Sequence, residues 1–384
     1  PGFHAVNSSA GFFSWLVERQ LQRSRRQSFW LYASVITPVW ARFLGAKVGR
    51  NCELSTFNGQ VGLLTFEDEC FIADDASLAP RELKNGWVRL GSVVLERRSF
   101  IGNSAHVRAG VHVRSGVLIG VGSESPAQNA PAASFFGLPP IEFPRHQLQG
   151  AESLRYKPSW SLKAKRFGVE VFRLSTGSVS FLLVGLMYLI AGSPANAAPG
   201  PVLWLLLVGS LYVAASVVAT LVTIGAKWAL VGRVKSSEHD LWTNFVWRNE
   251  LVWNFVESLA IPWTAHVAID SPIHNLVLRL LGAKIGENAS IATWFLDDPD
   301  LIEVGNNAVL MKAADLQTHL FHDRQMQLGT VTLGADVTVG SGSFLLPGSS
   351  VEEGTTISAG SLVARGELVY AVLNLYPYNP GHLM

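Results

Sequence analysis

Leu333, Val339, Leu345, Val351, Ile357 and Val363 stand at every sixth position without a break, and Gly334 and Gly340 follow the first two. A period of six fits neither the 3.6 of an α-helix nor the 2 of a simple strand. It predicts a left-handed parallel β-helix, in which three hexads complete one triangular coil. The aliphatic residue of each hexad points inward. The residue four places later (Val337, Ser343, Ser349, Thr355, Ser361) is small or β-branched, as a tightly wound coil requires.

A second copy lies upstream, in Leu95, Ile101, Val107, Val113 and Ile119. The copies align at an offset of 238: Phe66, Ile72, Leu78 and Leu95 match Val304, Leu310, Leu316 and Leu333. A near-identical phrase introduces each, Arg42-Phe-Leu-Gly-Ala-Lys-Val-Gly49 and Arg279-Leu-Leu-Gly-Ala-Lys-Ile-Gly286. The chain therefore carries an internal duplication.

Between the copies, Leu174 to Ala226 contains no Asp, Glu, Lys or Arg, and Gly192 to Pro201 interrupts it with prolines and glycines. Each half is long enough to cross a hydrocarbon core, which takes about 20 residues. A transmembrane hairpin is predicted. Arg155, Lys157, Lys163, Lys165, Arg166 and Arg173 lead in, Lys227, Arg233 and Lys235 lead out, and the connection is uncharged. The positive-inside rule then places the chain in the cell (inner or plasma) membrane, multi-pass, with both β-helices cytoplasmic. Charged residues make up only 15% of the 384, and the net charge of +1 implies no general attraction to nucleic acid.

The expected fold class is mainly β plus transmembrane α: two left-handed parallel β-helices joined by a transmembrane helical hairpin. The expected domains are amphipathic or interfacial helices over 1–45, a first β-helix with a Pro-rich exit over 46–150, the hairpin over 151–235, further interfacial helices over 236–283, and a second β-helix and tail over 284–384. Trp242, Trp247, Trp253 and Trp263 in the fourth segment suit a membrane interface. Pro1 is not an initiator Met, and the chain is read as a piece of something longer.

Cys52 and Cys70 lie 18 residues apart, one full coil, at the small inward position after Val48 and Phe66. Ala289 and Ala308 hold the matching places in the second copy, so small apolar filling is expected rather than a disulfide or metal pair. His106 and His112 are six apart, on neighbouring faces of a coil, where stacked ligands would be 18 apart. No metal site is predicted.

The register slips once in each copy, at the same place. Leu78 to Leu95 and Leu316 to Leu333 both span 17 residues instead of 18. Unbroken coiling would turn Lys84 and His322 inward, so a loop extruded from the coil is expected. The second loop reads Gln317-Thr-His-Leu-Phe-His-Asp-Arg324 and the first Ala79-Pro-Arg-Glu-Leu-Lys-Asn-Gly86. His319 and His322 thus face Arg81 and Lys84, and Asp323 faces Asn85. One copy keeps groups that move protons near neutral pH and the other does not. His319 is the expected general base, with Asp323 and His322 orienting its ring or sharing its proton. Arg324, Arg81 and Lys84 are the expected substrate-binding cations.

Paired hexapeptide regions, each opened by a Leu-Gly-Ala-Lys-[Val/Ile]-Gly phrase and separated by transmembrane helices, resemble the C-terminal membrane region of the ε-poly-lysine synthetase family of nonribosomal peptide synthetases. Phe135-Phe-Gly-Leu-Pro-Pro-Ile-Glu-Phe-Pro144, Trp247-Arg-Asn-Glu250 and Thr318-His-Leu-Phe-His-Asp-Arg324 support the resemblance. The family closes its β-helix with a Trp-x-Gly-x-Pro-Ala-like phrase, which Leu373 to Pro380 does not match. The resemblance implies an aminoacyl transferase that forms amide bonds from carrier-bound aminoacyl thioesters and yields a homopolymer. It implies no directly bound cofactor; the acyl donor is the phosphopantetheine thioester of a carrier domain. The implied partners are carrier and adenylation domains, membrane lipid, and an intrachain pseudo-symmetric pair of β-helices that a third trimeric LpxA-like copy would complete as a pseudo-trimer. Two other readings stay open on the residues: an acyl-CoA-dependent O- or N-acyltransferase, and a non-catalytic membrane scaffold that docks a carrier protein.

Overall fold

The computed structural model describes residues 1–27, 31–145, 148, 150–192, 200–294 and 296–370. Most of the connection inside the apolar stretch and the divergent tail lie outside these residues. The described chain divides into two compact units, one holding Pro1–Phe167 and Phe321–Gln325, the other Gly168–Leu320 and residues 326–370.

In the first unit the chain visits three parallel sheets in turn. Val48, Phe66, Leu95 and Val113 are stacked partners in one. Leu54, Ile72, Ile101 and Ile119 are stacked in the next. Leu78 and Val107 pair in the third. These side chains, apart from part-buried Val48, are buried in one apolar core together with Cys52 and Cys70, whose sulfurs are free thiols. Short strands suffice because each rung needs only its one inward residue to be apolar. The second sheet continues through Ala133–Phe136 and turns back antiparallel in Ile141–Pro144, which accounts for the extended Phe135–Pro144 segment. The helix Thr37–Phe43 lays Ala41 and Trp40 against this core.

The second unit repeats the pattern. Ile285, Val304, Leu333, Val351 and Val369 stack in one sheet. Ile291, Leu310, Val339 and Ile357 stack in another, and Leu316, Leu345 and Val363 in the third. Gly340 stands where a Cβ would lie 2.4 Å from the amide nitrogen of Ala359 on the next rung. The duplicated introductory phrase has a mechanical role. Arg279 donates from Nε to the Ile285 carbonyl and from Nη2 to that of Gly286. Arg42 makes the same bonds to Val48 and Gly49. Each arginine satisfies carbonyls at the open end of the first rung, which has no strand below it.

The register slip is an insertion. Leu78 and Leu95 occupy consecutive sheets, so the step of 17 exceeds one hexad by 11. Stacked partners across it, Phe66 with Leu95 and Val304 with Leu333, are accordingly 29 apart instead of 18. The surplus forms a hairpin in each copy. In the first, Arg81–Lys84 pairs antiparallel with Trp87–Leu90, and Gly2–Ala5 adds a third strand. Asn85 and Gly86 make the turn with φ of 49° and 78°, the left-handed pair that a two-residue hairpin requires. In the second, the strands are His319–His322 and Gln325–Leu328, the turn is Asp323-Arg324 at φ 47° and 59°, and Glu238–Asp240 is the third strand.

Two helices, Trp160–Ala191 and Pro201–Leu230, are long and apolar enough to cross a membrane. Few of their apolar side chains are covered by protein; Phe181, Leu182, Leu189, Leu205 and Leu206 all stand exposed. The helix Asn244–Phe255 and its π-helical continuation Val256–Ala265, which contains Pro262, pack against the second of them through Leu251, Phe255, Leu259 and Trp263. Trp242, Trp247 and Trp263 are consequently buried inside the protein rather than laid out along a surface.

Candidate active site

His319 opens the hairpin of the second copy, three residues after Leu316 of the rung Asp315–Leu316. Its Nδ1 lies 2.6 Å from Oδ2 of Asp298. Asp298 is buried and held at φ 41°, ψ 71°, as the residue that starts the short 3₁₀ turn Pro299–Leu301. The other oxygen, Oδ1, accepts from Nδ2 of Asn249 at 2.8 Å. Thr318 Oγ1 stands 3.1 Å from Oδ2 and 2.5 Å from the Asp297 carbonyl, within donating reach of both. Both oxygens of this carboxylate therefore face hydrogen-bond donors.

Burial by itself pushes the Asp298 carboxyl up. The charge and hydrogen bond of His319, with the bonds from Asn249 and Thr318, outweigh it and hold the group below the usual carboxylate range. An ionised carboxylate only accepts, so Nδ1 of His319 carries a proton in either charge state, and whenever the ring is neutral its lone pair is on Nε2. This is the arrangement of an oriented general base. Beside it, Gln317 Nε2 donates to Asp315 Oδ2 at 2.9 Å. Burial and the nearby charge of Asp297 push the Asp315 carboxyl up to about 8, against the opposing pull of Gln317 and His319.

The first unit keeps the architecture with different side chains at the matching places. At the offset of 238, Asp298 corresponds to Gln60, His319 to Arg81, Asp297 to Gly59, Asp315 to Ser77 and Gln317 to Ala79. Gln60 Nε2 donates to the Ser14 carbonyl at 3.0 Å. Arg81 donates to Ser14 Oγ at 3.2 Å and to Glu18 Oε2 at 2.9 Å. Arg81 is thus engaged in an ion pair within its own unit, while Lys84 stands exposed on the hairpin.

The other predicted residues are not gathered around His319. His322, Asp323 and Arg324 belong to the first unit. Asp323 is bound by the Arg145 guanidinium and accepts from the Leu148 amide at 2.7 Å. His322 Nε2 lies 2.8 Å from Arg145 Nη1. The sequence reading names Asp323 and His322 as orienting groups for His319; on Nδ1 stands Asp298, 21 residues upstream, which that reading did not name. Arg324 is 0% exposed. It donates to the carbonyls of Asn51 (2.7 Å), Cys70 (2.9 Å) and Arg155 (3.1 Å) and lies over the Tyr156 ring. In this structure it is committed to the fold of the first unit. His112 Nε2 lies 2.9 Å from Glu96 Oε1. Among the described residues no group of three His, Cys, Asp or Glu side chains is placed to hold a metal.

Asp298 and Asn249 were not legible as site residues, although Asn249 lies in the Trp247–Glu250 motif. A usable signal was present: Asp297-Asp-Pro-Asp300 aligns with Gly59-Gln-Val-Gly62, an acidic run in one copy against an uncharged one in the other.

No protein-family profile matches the chain. It is 33% identical over 354 residues to the delta-poly-L-ornithine synthetase of Acinetobacter baumannii (strain AB307-0294). That alignment covers 90% of this chain and 26% of the relative, so the chain spans about a quarter of the length of the curated protein it matches. Among solved structures, a maltose O-acetyltransferase from Clostridium difficile 630 is similar at a TM-score of 0.24 and 15% identity, over 38% of this chain and 94% of that one. A serine acetyltransferase isoform 3 from Entamoeba histolytica is similar at 0.21 and 13%, over 57% and 62%. Structural likeness this low has no bearing on chemistry. Over nine-tenths of its length, the chain is related in sequence to a region of a poly-amino-acid synthetase.

Proposed function

We propose that this chain is the membrane-borne, amide-forming transferase region of a poly-amino-acid synthetase of the ε-poly-lysine synthetase kind. Its two stacks of parallel strands are left-handed β-helices, and its two apolar helices cross the membrane as a hairpin with both β-helices on the cytoplasmic side. The donor is an aminoacyl thioester on a carrier domain, loaded by an adenylation domain, and the product is a homopolymer.

In the step we envisage, the amine of an acceptor attacks the thioester carbonyl. A C–N bond forms and the C–S bond breaks. His319 Nε2 takes the proton released by the nitrogen and returns it to the departing thiolate. Asp298 keeps Nδ1 protonated and stabilises the imidazolium in between.

The observation that carries this reading is the Asp298–His319 pair in one copy of a duplicated fold, against Gln60 and Arg81 in the other. A structural pair has no reason to be confined to one copy, whereas a duplicated enzyme needs only one working centre. The sequence relationship to a poly-ornithine synthetase supports the choice of reaction class. The test is single-turnover transfer from a loaded carrier domain to a free amine, using the full chain in lipid nanodiscs. Transfer by the intact chain and its loss in His319→Ala are expected. Undiminished transfer by His319→Ala would overturn the reading.

A further inference from the structure

Gln317 is buried at 3% exposure in the wall of the second unit's coil. Its Nε2 is used, donating to Asp315, but its Oε1 is buried with no hydrogen-bond partner. Buried acceptors without donors are rare in folded proteins, because the desolvation is uncompensated. This one sits among acids. Asp315 and Asp297 are close enough for the charge of one to oppose ionisation of the other. His319 is near enough to act on Asp315 as well. The cluster is thus rich in acceptors and has one that nothing among the described residues supplies with a proton.

We propose that Asp297, Asp315 and Gln317 form a recognition subsite, beside His319, for a primary ammonium group of the acceptor substrate other than the neutral amine that attacks. The proposal deepens the function proposed above and rests on it for the identity of the substrate. A primary ammonium carries three N–H donors on a compact cation. Two carboxylates and an amide oxygen offer it three acceptors. Its arrival supplies the donor that Gln317 Oε1 lacks. It also relieves the repulsion between the two acids, so that binding favours their ionised form. A neutral hydroxyl brings one donor and no charge.

The duplication provides an independent comparison. In the first copy Asp297, Asp315 and Gln317 correspond to Gly59, Ser77 and Ala79, and His319 to Arg81. All three acceptor side chains disappear together with the imidazole, and a permanent cation stands in its place. Three core-facing or rim residues with independent structural roles would have no reason to be lost as a set.

The experiment is calorimetric titration of the full chain in nanodiscs with 1,5-diaminopentane, with 1-butanol and calcium chloride as controls. Saturable binding of the amine and none of the alcohol is expected. Asp315→Asn and Gln317→Leu should each weaken amine binding by about ten- to a hundredfold, the effect of removing a charge-assisted bond. Gln317→Leu removes the orphaned acceptor without a change of charge, and it decides the matter where Asp315→Asn does not fold. Wild-type affinity in Gln317→Leu, or binding of calcium without binding of the amine, would overturn the subsite. His319→Ala separates the two proposals. Amine binding retained with transfer lost supports both. Weakened binding in Gln317→Leu alongside undiminished transfer in His319→Ala supports the subsite and removes the assigned base.

Discussion

Nδ1 of His319 lies 2.6 Å from Oδ2 of Asp298, although 21 residues separate them. The bond closes a loop of chain that begins at a 3₁₀ turn and ends at the root of a hairpin. It fixes the imidazole's tautomer by a route that spacing along the sequence does not reveal.

Replacing His319 by Ala should lower transfer by roughly 10²–10⁴-fold, the usual contribution of a general base. Asp298→Asn should cost on the order of 10³–10⁴-fold, because an amide can donate to Nδ1 and so favour the wrong tautomer. Gln60→Ala, at the matching place in the first copy, should leave turnover near normal. Single-turnover transfer measures all three. Equal effects of Asp298→Asn and Gln60→Ala would refute the assignment of one working copy.

The parts of the fold that follow a period were legible. Leu333, Val339 and Leu345 are buried as the period of six requires, and the break in that period marked an extruded loop in each copy, though not that the loop is a hairpin. The uncharged run from Leu174 to Ala226 likewise marked both long helices. What escaped was set by contacts without a period. Asp298 is brought to His319 by the turn Pro299–Leu301. Arg324, a cation that composition assigns to a surface, is buried against three backbone carbonyls. Trp247 and Trp263, amphipathic enough for an interface, are covered instead by neighbouring helices.

Asp315 gives stability a pH dependence of definite sign. Its carboxyl titrates at about 8 in the folded protein, against about 3.9 in an unfolded chain. Between these values the folded form keeps a proton that the unfolded chain has released. The contribution is therefore complete below about pH 4 and is lost as pH rises through about 8. Asp315→Asn removes this dependence. Its melting temperature relative to wild type should be higher at pH 8.5 than at pH 4.5, and a difference of the opposite sign would contradict the assignment. Asp298 acts in the other direction. Its depressed carboxyl stabilises above the ordinary carboxylate range and ceases to do so as pH falls through its folded value.

Arg324 is expected to be a residue of stability rather than of substrate affinity. Arg324→Met removes the guanidinium donor from the carbonyls of Asn51, Cys70 and Arg155, of which Cys70 still accepts from the Glu53 amide. The cost should be about 3 kcal/mol, since buried charge-assisted hydrogen bonds are lost together. Chemical unfolding reads the stability, and the KM for amine measured on the folded fraction should stay within about twofold of wild type, the scale of a change in surroundings rather than of a lost contact. A KM raised tenfold without loss of stability would restore Arg324 to the binding site.

Orientation in the membrane is open to labelling. A cysteine in place of Asn196, in the uncharged connection, should react with an impermeant maleimide in intact cells. A cysteine in place of Glu353, exposed in the second copy of the repeat, should react only after lysis. The native Cys52 and Cys70 are buried, so background is low. Labelling of the Glu353→Cys protein in intact cells would reverse the topology.

Lys227 and Asp300 form an ion pair at 2.7 Å with both side chains 2% exposed. Lys227 lies in the last turn of the helix Pro201–Leu230, and Asp300 lies in the 3₁₀ turn that Asp298 begins. Asp300 also accepts from the Val234 amide at 3.1 Å. Gly282 leaves room for it: at φ 119° its Cα carries no side chain, and a Cβ there would lie 2.2 Å from Asp300 Oδ1. A buried pair of this kind contributes little net stability compared with well-packed apolar residues, but losing one partner strands a charge. Lys227→Met and Asp300→Leu should therefore each destabilise by about 3–5 kcal/mol, and the double variant should recover most of the loss. Because Asp300 is two residues from Asp298, the single variants should also lower transfer while the amine KM changes little. Thermal unfolding and transfer, measured on the two single variants and the double, complete the cycle. Simple addition of the two losses in the double variant would mean that the pair is not coupled, and that the helix end does not position the turn carrying Asp298.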